Sequence, residues 1–235
     1  RTSSRVSPDD PDRTVFMLRR RSAVCPAYTR ALLLACRCCN GLEERSPRVN
    51  TPAHMAMSVF IWSDEPGWPA AAAITIGAWL PDIPMFIFFA YQKLRRVDDK
   101  KIWSEAYYDP AWQIFFDIPN SFPLILAVLA ICFVLGLHLG VLLTASAAIH
   151  LLCDFFLHHE DGHRHFLPFS SWRFFSPVSY WEPSRHGNIF LGFEILFVIA
   201  ACSSVILESA NDYMRMAAIT AASLYFAGVA ISQLK

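Results

Sequence analysis

Residues Ser121–Leu157 read SFPLILAVLAICFVLGLHLGVLLTASAAIHLLCDFFL. Two apolar runs, Ser121–Leu137 and Leu139–Leu157, follow one another with His138 between them. A helix needs about 20 apolar residues to cross the hydrocarbon core of a bilayer, and each run comes close to that length. So short a connection predicts a helical hairpin. Working outward, Trp68–Tyr91 is a further span, interrupted by Pro81, Asp82 and Pro84. Asn188–Leu207 is another, with Glu194 inside it, and Tyr213–Leu234 a fifth, with Arg215 near its start. His54–Trp62 is apolar but too short to span, so it reads as a half-helix or an interfacial segment. The expected fold is an all-α polytopic transmembrane bundle of about five spans plus a short N-terminal half-helix.

Composition agrees. The chain has 235 residues, 54% hydrophobic and 14% aromatic, with a mean hydropathy of +0.34. That is too apolar for an ordinary soluble domain and places the chain in the membrane class, with the lipid bilayer as its first partner. Formal net charge is zero, but residues 1–48 carry +5 and residues 49–235 carry −5. The folded part holds no basic stripe, so nucleic acid is not an expected partner.

Residues 1–48 differ from the rest. They are rich in Arg, Ser and Pro and hold four of the seven cysteines, Cys25, Cys36, Cys38 and Cys39. A targeting peptide is disfavoured, because Ala31–Cys36 is shorter than a usual signal core and Arg30 abuts it. A metal site at the cysteines lacks a second ligand pair of suitable spacing. The expectation is a disordered leader or non-native upstream translation over 1–48, with a membrane-embedded helical domain over 49–235 starting at Val49. Cys132, Cys153 and Cys202 lie in apolar runs and read as small buried side chains.

Two polar connections remain. Lys93–Asn120 carries KLRRVDDKK, then Trp103, Tyr107, Tyr108 and Trp112, which suit a membrane–water interface. His158–Gly187 is rich in His, aromatic residues and Pro. The basic loop belongs in the cytoplasm by the positive-inside rule, and alternating spans put His158–Gly187 and Lys235 there too.

The end of the hairpin carries the chemistry. His150–Phe166 reads HLLCDFFLHHEDGHRHF and contains five of the chain's eight histidines. His150, Asp154 and His158 fall at i, i+4 and i+8, on one helix face within an arc of about 80°. Imidazole and carboxylate together can bind a divalent metal such as zinc, manganese or iron. The alternative is a His–Asp hydrogen bond that braces helices. Asp82 behind Pro81 sits in a broken helix, a geometry tolerated where it lines a cavity or is buried in protein. Thr51 can cap the first helix with Pro52 at its first position; His54 alone reads as an interfacial, solvated side chain. His159, Asp161, His163 and His165 are further donors near the loop. Glu194 can pair with Arg215 or a histidine, or orient a ligand. In SPVSYWEPSRHGN, residues 176–188, Arg185 can hold an anion. No G-x-S-x-G, H-E-x-x-H or Gly-rich phosphate loop occurs.

NTPAHMAM at Asn50–Met57, GAWLPDIPMF at Gly77–Phe86, HLLCDFFLHHEDGHRHFLP and SPVSYWEPSRHGNI together resemble a bacterial membrane family. That family is related to the inner-membrane, membrane-bound metal-dependent hydrolases, and some members carry a cobalamin-biosynthesis label. The likeness covers nearly all of 49–235. It implies His54, Asp82, His150 and Asp154 as metal ligands, with His158 and His159 matching a following histidine pair. The combined expectation is a multi-pass inner-membrane hydrolase that uses a divalent metal on a lipid or phosphoester substrate, with Asp161 or Glu194 as proton acceptor. The alternatives are a non-catalytic metal-binding, transporter-like bundle and a structural scaffold.

Overall fold

A computed structural model describes residues 51–159, 162–180 and 182–233, all within one unit, Ser46–Lys235. The expectations for residues 1–48, and for Asp161, lie outside the described residues. Among these residues the chain is all-helical: α1 Thr51–Ile61, α2 Gly67–Trp79, α3 Ile83–Leu94, α4 Asp99–Ser104, α5 Pro110–Asp117, α6 Phe122–Val134, α7 His138–Leu157, α8 Gly187–Glu208 and α9 Asp212–Gln233. Five stretches are long and apolar enough to cross a membrane: Gly67–Leu94, Pro110–Val134, His138–Leu157, Gly187–Glu208 and Asp212–Ser232. The protein is a multi-pass membrane bundle.

Its outer surface fits that solvent. Phe133, Val134 and Leu207 are 75%, 81% and 78% exposed, and Phe193 and Leu196 stand out from α8. In water such a surface would aggregate; in lipid it is the ordinary face of a span. The interior instead uses small side chains. Ala70, Ala71, Ala73, Gly77 and Ala78 of α2 are buried, and α2 packs most extensively against α7. A Cβ at Gly77 would lie 2.1 Å from the Leu143 carbonyl oxygen, so only glycine lets the two backbones approach this closely.

The half-helix α1 lies inside the bundle, in contact with α2, α8 and α9. Thr51–Ala56, Ser58 and Val59 are all buried. This corrects the interfacial reading of His54, which is 5% exposed. The hydroxyl of Thr51 does not cap its helix but donates to Asp82 Oδ2.

Two spans are broken. The first turns through a 3-10 segment at Leu80–Asp82, where Pro81 and Pro84 remove backbone donors. The second runs from Pro110, well before the expected Ser121, and breaks between Asp117 and Phe122. Asp109 caps α5 by accepting from the Ala111 amide, and Ser121 caps α6. The breaks meet: the Asn120 side-chain amide donates to the Pro81 and Phe116 carbonyls, both at 3.0 Å. The aromatic stretch expected at the interface folds over α3. Phe88, Ile102, Tyr107 and Phe116 form a buried cluster with Trp103 and Trp112 against it, while Tyr108 stays exposed.

At one end of the bundle three short loops are tied together. Ser209 Oγ donates to the Ser63 carbonyl, Asn211 Nδ2 to the Glu65 carbonyl, and His138 pairs with the Glu65 carboxylate at 2.8 Å. The opposite end carries Lys93–Lys101 and the long loop after α7.

Candidate metal centre

Three elements deliver the polar cluster. α7 presents His150 and Asp154 one turn apart, α1 presents His54, and the broken segment after α2 presents Asp82. His54 Nε2 is 3.0 Å from Asp154 Oδ1; His150 Nε2 is 3.0 Å from Asp154 Oδ2 and 3.6 Å from Asp82 Oδ1. The His54 and His150 rings stack with centroids 3.9 Å apart. His150 is fully buried, and Asp154 nearly so, seven residues and three residues from the end of α7. At 1.5 Å per residue that is about 10 Å and about 5 Å below the helix end.

His150 Nδ1 lies 2.7 Å from the Ala78 carbonyl oxygen. A carbonyl only accepts, so Nδ1 carries a proton and donates it. A neutral His150 then turns the bare lone pair of Nε2 toward two carboxylates. Electrostatics requires a positive charge there, either a second proton or a metal ion. Asp154 Oδ1 is buried and receives no well-formed hydrogen bond, although two imidazole nitrogens face it. Stacked imidazolium rings would repel, which opposes supplying two protons instead of one cation.

The donor set fits a divalent ion. His54, His150 and Asp154 each offer one ligand atom, all within 4.8 Å of one another. Tetrahedral N and O ligands about 2.0–2.1 Å from zinc lie roughly 3.3 Å apart, a value between the 3.0 and 3.6 Å separations found here. A separation of 3.6 Å is too long for a hydrogen bond but suits two ligands of one ion. The carbonyl behind His150 fixes the ring as an outer partner of a metal ligand does.

The other candidates sit as follows. His158 Nε2 is 3.6 Å from Asp154 Oδ1 and shares a 3.0 Å hydrogen bond with the Tyr180 hydroxyl. His159 turns to the Ser176 carbonyl, 2.6 Å from Nδ1, and stacks edgewise on Phe175. Glu194 accepts from Tyr225 at 2.8 Å, across α8 and α9, while Arg215, one of the partners the sequence offers Glu194, pairs with Asp212 in its own first turn. Arg185 pairs with Glu182 at 3.2 Å. Sequence reasoning missed the role of Tyr180, which faces His158 because the segment after α7 folds back: Ser176 Oγ donates to the Phe156 carbonyl and the Tyr180 amide to the Leu157 carbonyl. These bonds satisfy the open carbonyls at the helix end. Gly187 permits that return, since a Cβ there would meet the Glu182 and Tyr180 carbonyls at 2.9 Å.

A second buried carboxylate anchors the same loop. Asp117 is fully buried and accepts from the Arg164 amide at 3.1 Å, the Arg164 Nε, and His163 at 3.2 Å. His165 Nδ1 donates to the Asn120 carbonyl at 2.8 Å. Burial, and then the neighbouring His163, push the His165 imidazole down to about 4.

Comparison of the chain with family models, curated proteins and solved structures returned no match.

Proposed function

We propose that the protein is a membrane-bound, metal-dependent hydrolase of phosphoester or lipid-linked substrates, seated in the bacterial inner membrane. The observation that carries this reading is the meeting of His54, His150 and Asp154 at one buried point, with Asp82 at its open side 3.6 Å from His150 and an Asp154 oxygen that lacks a well-formed hydrogen bond. The sequence resemblance supports the same four residues as ligands. A divalent ion in this set would supply Lewis-acid polarisation of a phosphoryl oxygen and would acidify water to a pKa of about 7.

The remaining work falls to the protein. Ala78 holds His150 through its carbonyl, and Thr51 holds Asp82 through its hydroxyl. Asp82 is the partly exposed member of the set, with 26% of its side chain accessible, so substrate approaches from its side. His158, hydrogen-bonded to Tyr180 and next to Asp154, is placed to take a proton from water and return it to the leaving group. In this scheme His158 is a proton carrier, not a ligand.

The test is elemental analysis of the full chain purified in detergent, beside Asp154→Asn and a His150→Ala/Asp154→Ala double variant. The expected result is near-stoichiometric zinc, manganese or iron in the wild type, lost in both variants, with metal-dependent cleavage of a chromogenic phosphomonoester or short-chain phosphatidic acid. Equal metal content in wild type and folded Asp154→Asn would remove the assignment. Absence of metal in folded wild type, even after addition, would leave a protonated His–Asp network bracing α1, α2 and α7, the non-catalytic reading.

A further inference from the structure

Beside the metal centre two arginines share one carboxylate. Arg164 Nε and backbone amide engage Asp117, and Arg173 Nη2 lies 3.9 Å from the same carboxylate. Arg173 is fixed independently, with Nη1 donating to the Gly162 carbonyl at 3.1 Å and Nη2 to Gln113 Oε1 at 2.8 Å. Both side chains are partly open, 22% and 26% accessible. Arg164 and His163 already satisfy Asp117, so Arg173 is a second guanidinium beside one carboxylate. The Arg164 fork also keeps its two Nη atoms without a partner among the described residues. A preorganised guanidinium with open donors can receive an anion, and its fork matches a phosphate.

Position connects the receptor to the site. The His163 ring beside Asp117 lies 6.2 Å from the His158 ring, and His158 is next to Asp154. A divalent ion held by Asp154 and reached by Asp82 would be neutralised by their two charges, so that centre alone would have little attraction for an anionic substrate. The loop that carries both arginines exposes Phe169, Trp172 and Phe175, aromatic anchors suited to the headgroup level of a bilayer. We infer that Arg164 and Arg173 form a phosphate-holding subsite next to the metal centre, which binds a phosphate group of the substrate. The inference rests on the metal reading for the role of that neighbour, not for the binding itself.

The test is calorimetric titration of the full chain in detergent with inorganic phosphate and, separately, with dihexanoyl phosphatidic acid. Wild type, Arg173→Gln, Arg173→Lys and Arg164→Lys are compared, each with metal added and after chelation. Arg173→Gln removes one of the two guanidinium charges while leaving Asp117 its other partners; it should weaken binding by about tenfold or more. Arg173→Lys should stay close to wild type, and Arg164→Lys, which keeps charge but loses the fork, should fall between. Weakening seen with both titrants assigns the subsite to phosphate in general; weakening seen only with phosphatidic acid assigns it to a lipid. Folded Arg173→Gln that binds both as wild type does would overturn the inference, and so would wild type that binds neither. Should Arg173→Gln not fold, Arg164→Lys with wild-type affinity overturns it. An Arg173 effect that persists while chelation changes nothing would count against the metal reading alone.

Discussion

At His150 a single hydrogen bond decides how the ring can act. The Ala78 carbonyl accepts a hydrogen bond from Nδ1–H, so Nε2 is either a protonated donor or a ligand. The helical spacing of His150, Asp154 and His158 is legible in sequence, because periodicity puts them on one face whatever surrounds them. His54 and Asp82 are different. Each looks ordinary until the fold brings α1 and the broken segment to the α7 face, 100 and 72 residues away from Asp154 along the chain. Only the resemblance pointed to them together. The loop histidines were equally ambiguous, and the structure separates them: His158 faces the cluster, His159 faces away, and His165 is buried as a neutral donor to Asn120. That burial makes stability depend on pH. The folded His165 titrates near 4, the unfolded one at its usual 6.5. Between those values the unfolded chain binds the proton first, so stability is full above pH 6.5 and is lost as pH falls toward 4, by at most about 3 kcal/mol. Thermal unfolding in detergent across this window should show a lower midpoint at each step down in pH. A His165→Gln variant should show a shallower decline; parallel profiles for the two proteins would refute the assignment.

At the scale of elements, the breaks matter more than the spans. The Pro81–Asp82 interruption is readable, since Pro and Asp announce themselves inside an apolar run. The second break is not. Asp117 lowers the apolarity of its stretch, so the span appears to begin at Ser121, yet its charge is cancelled by Arg164 and His163, which arrive from beyond α7. No local pattern reports a partner 46 or 47 residues away. The contact between α2 and α7 is also set by what is missing, the Cβ of Gly77. Gly77→Ala should force the helices apart, cost about 1–3 kcal/mol, and draw the Ala78 carbonyl away from His150. Metal affinity should then fall by about 10- to 100-fold, as when an outer partner of a ligand is lost. Gly192→Ala, where an added Cβ meets nothing within 4 Å, is the control and should change neither quantity. A Gly77→Ala protein that unfolds at the wild-type temperature and binds metal equally well would show that the close crossing does not hold the site.

For the whole molecule, the two ends of the bundle differ in Lys and Arg content, and that difference orients the site. Lys93, Arg95, Arg96, Lys100, Lys101, Arg164, Arg173 and Arg185 lie at one end, interspersed with acids such as Asp98, Asp99, Asp109 and Glu182; the other end holds Arg215 with Asp64, Glu65, Glu208 and Asp212. The tied loops at the acidic end confirm that Ser63–Glu65, His138 and Ser209–Asn211 lie together, as five alternating spans require. Lys and Arg are retained on the cytoplasmic side during insertion, so the basic end is expected to face the cytoplasm, with His150 and Asp154 about 5–10 Å beneath it. On the proposed function, substrate would then be met from the cytoplasmic leaflet. Single cysteines test this in a background with Cys25, Cys36, Cys38 and Cys39 changed to Ser and Cys132, Cys153 and Cys202 changed to Ala. Lys100→Cys and Asp64→Cys both fall at exposed positions. In intact cells a membrane-impermeant maleimide should modify Asp64→Cys and leave Lys100→Cys untouched, and inverted vesicles should give the reverse. Modification of both from one side would break the alternation of spans. The reverse pattern would keep the fold and move the metal centre to the outer leaflet, where its substrate would have to be supplied from outside the cytoplasm.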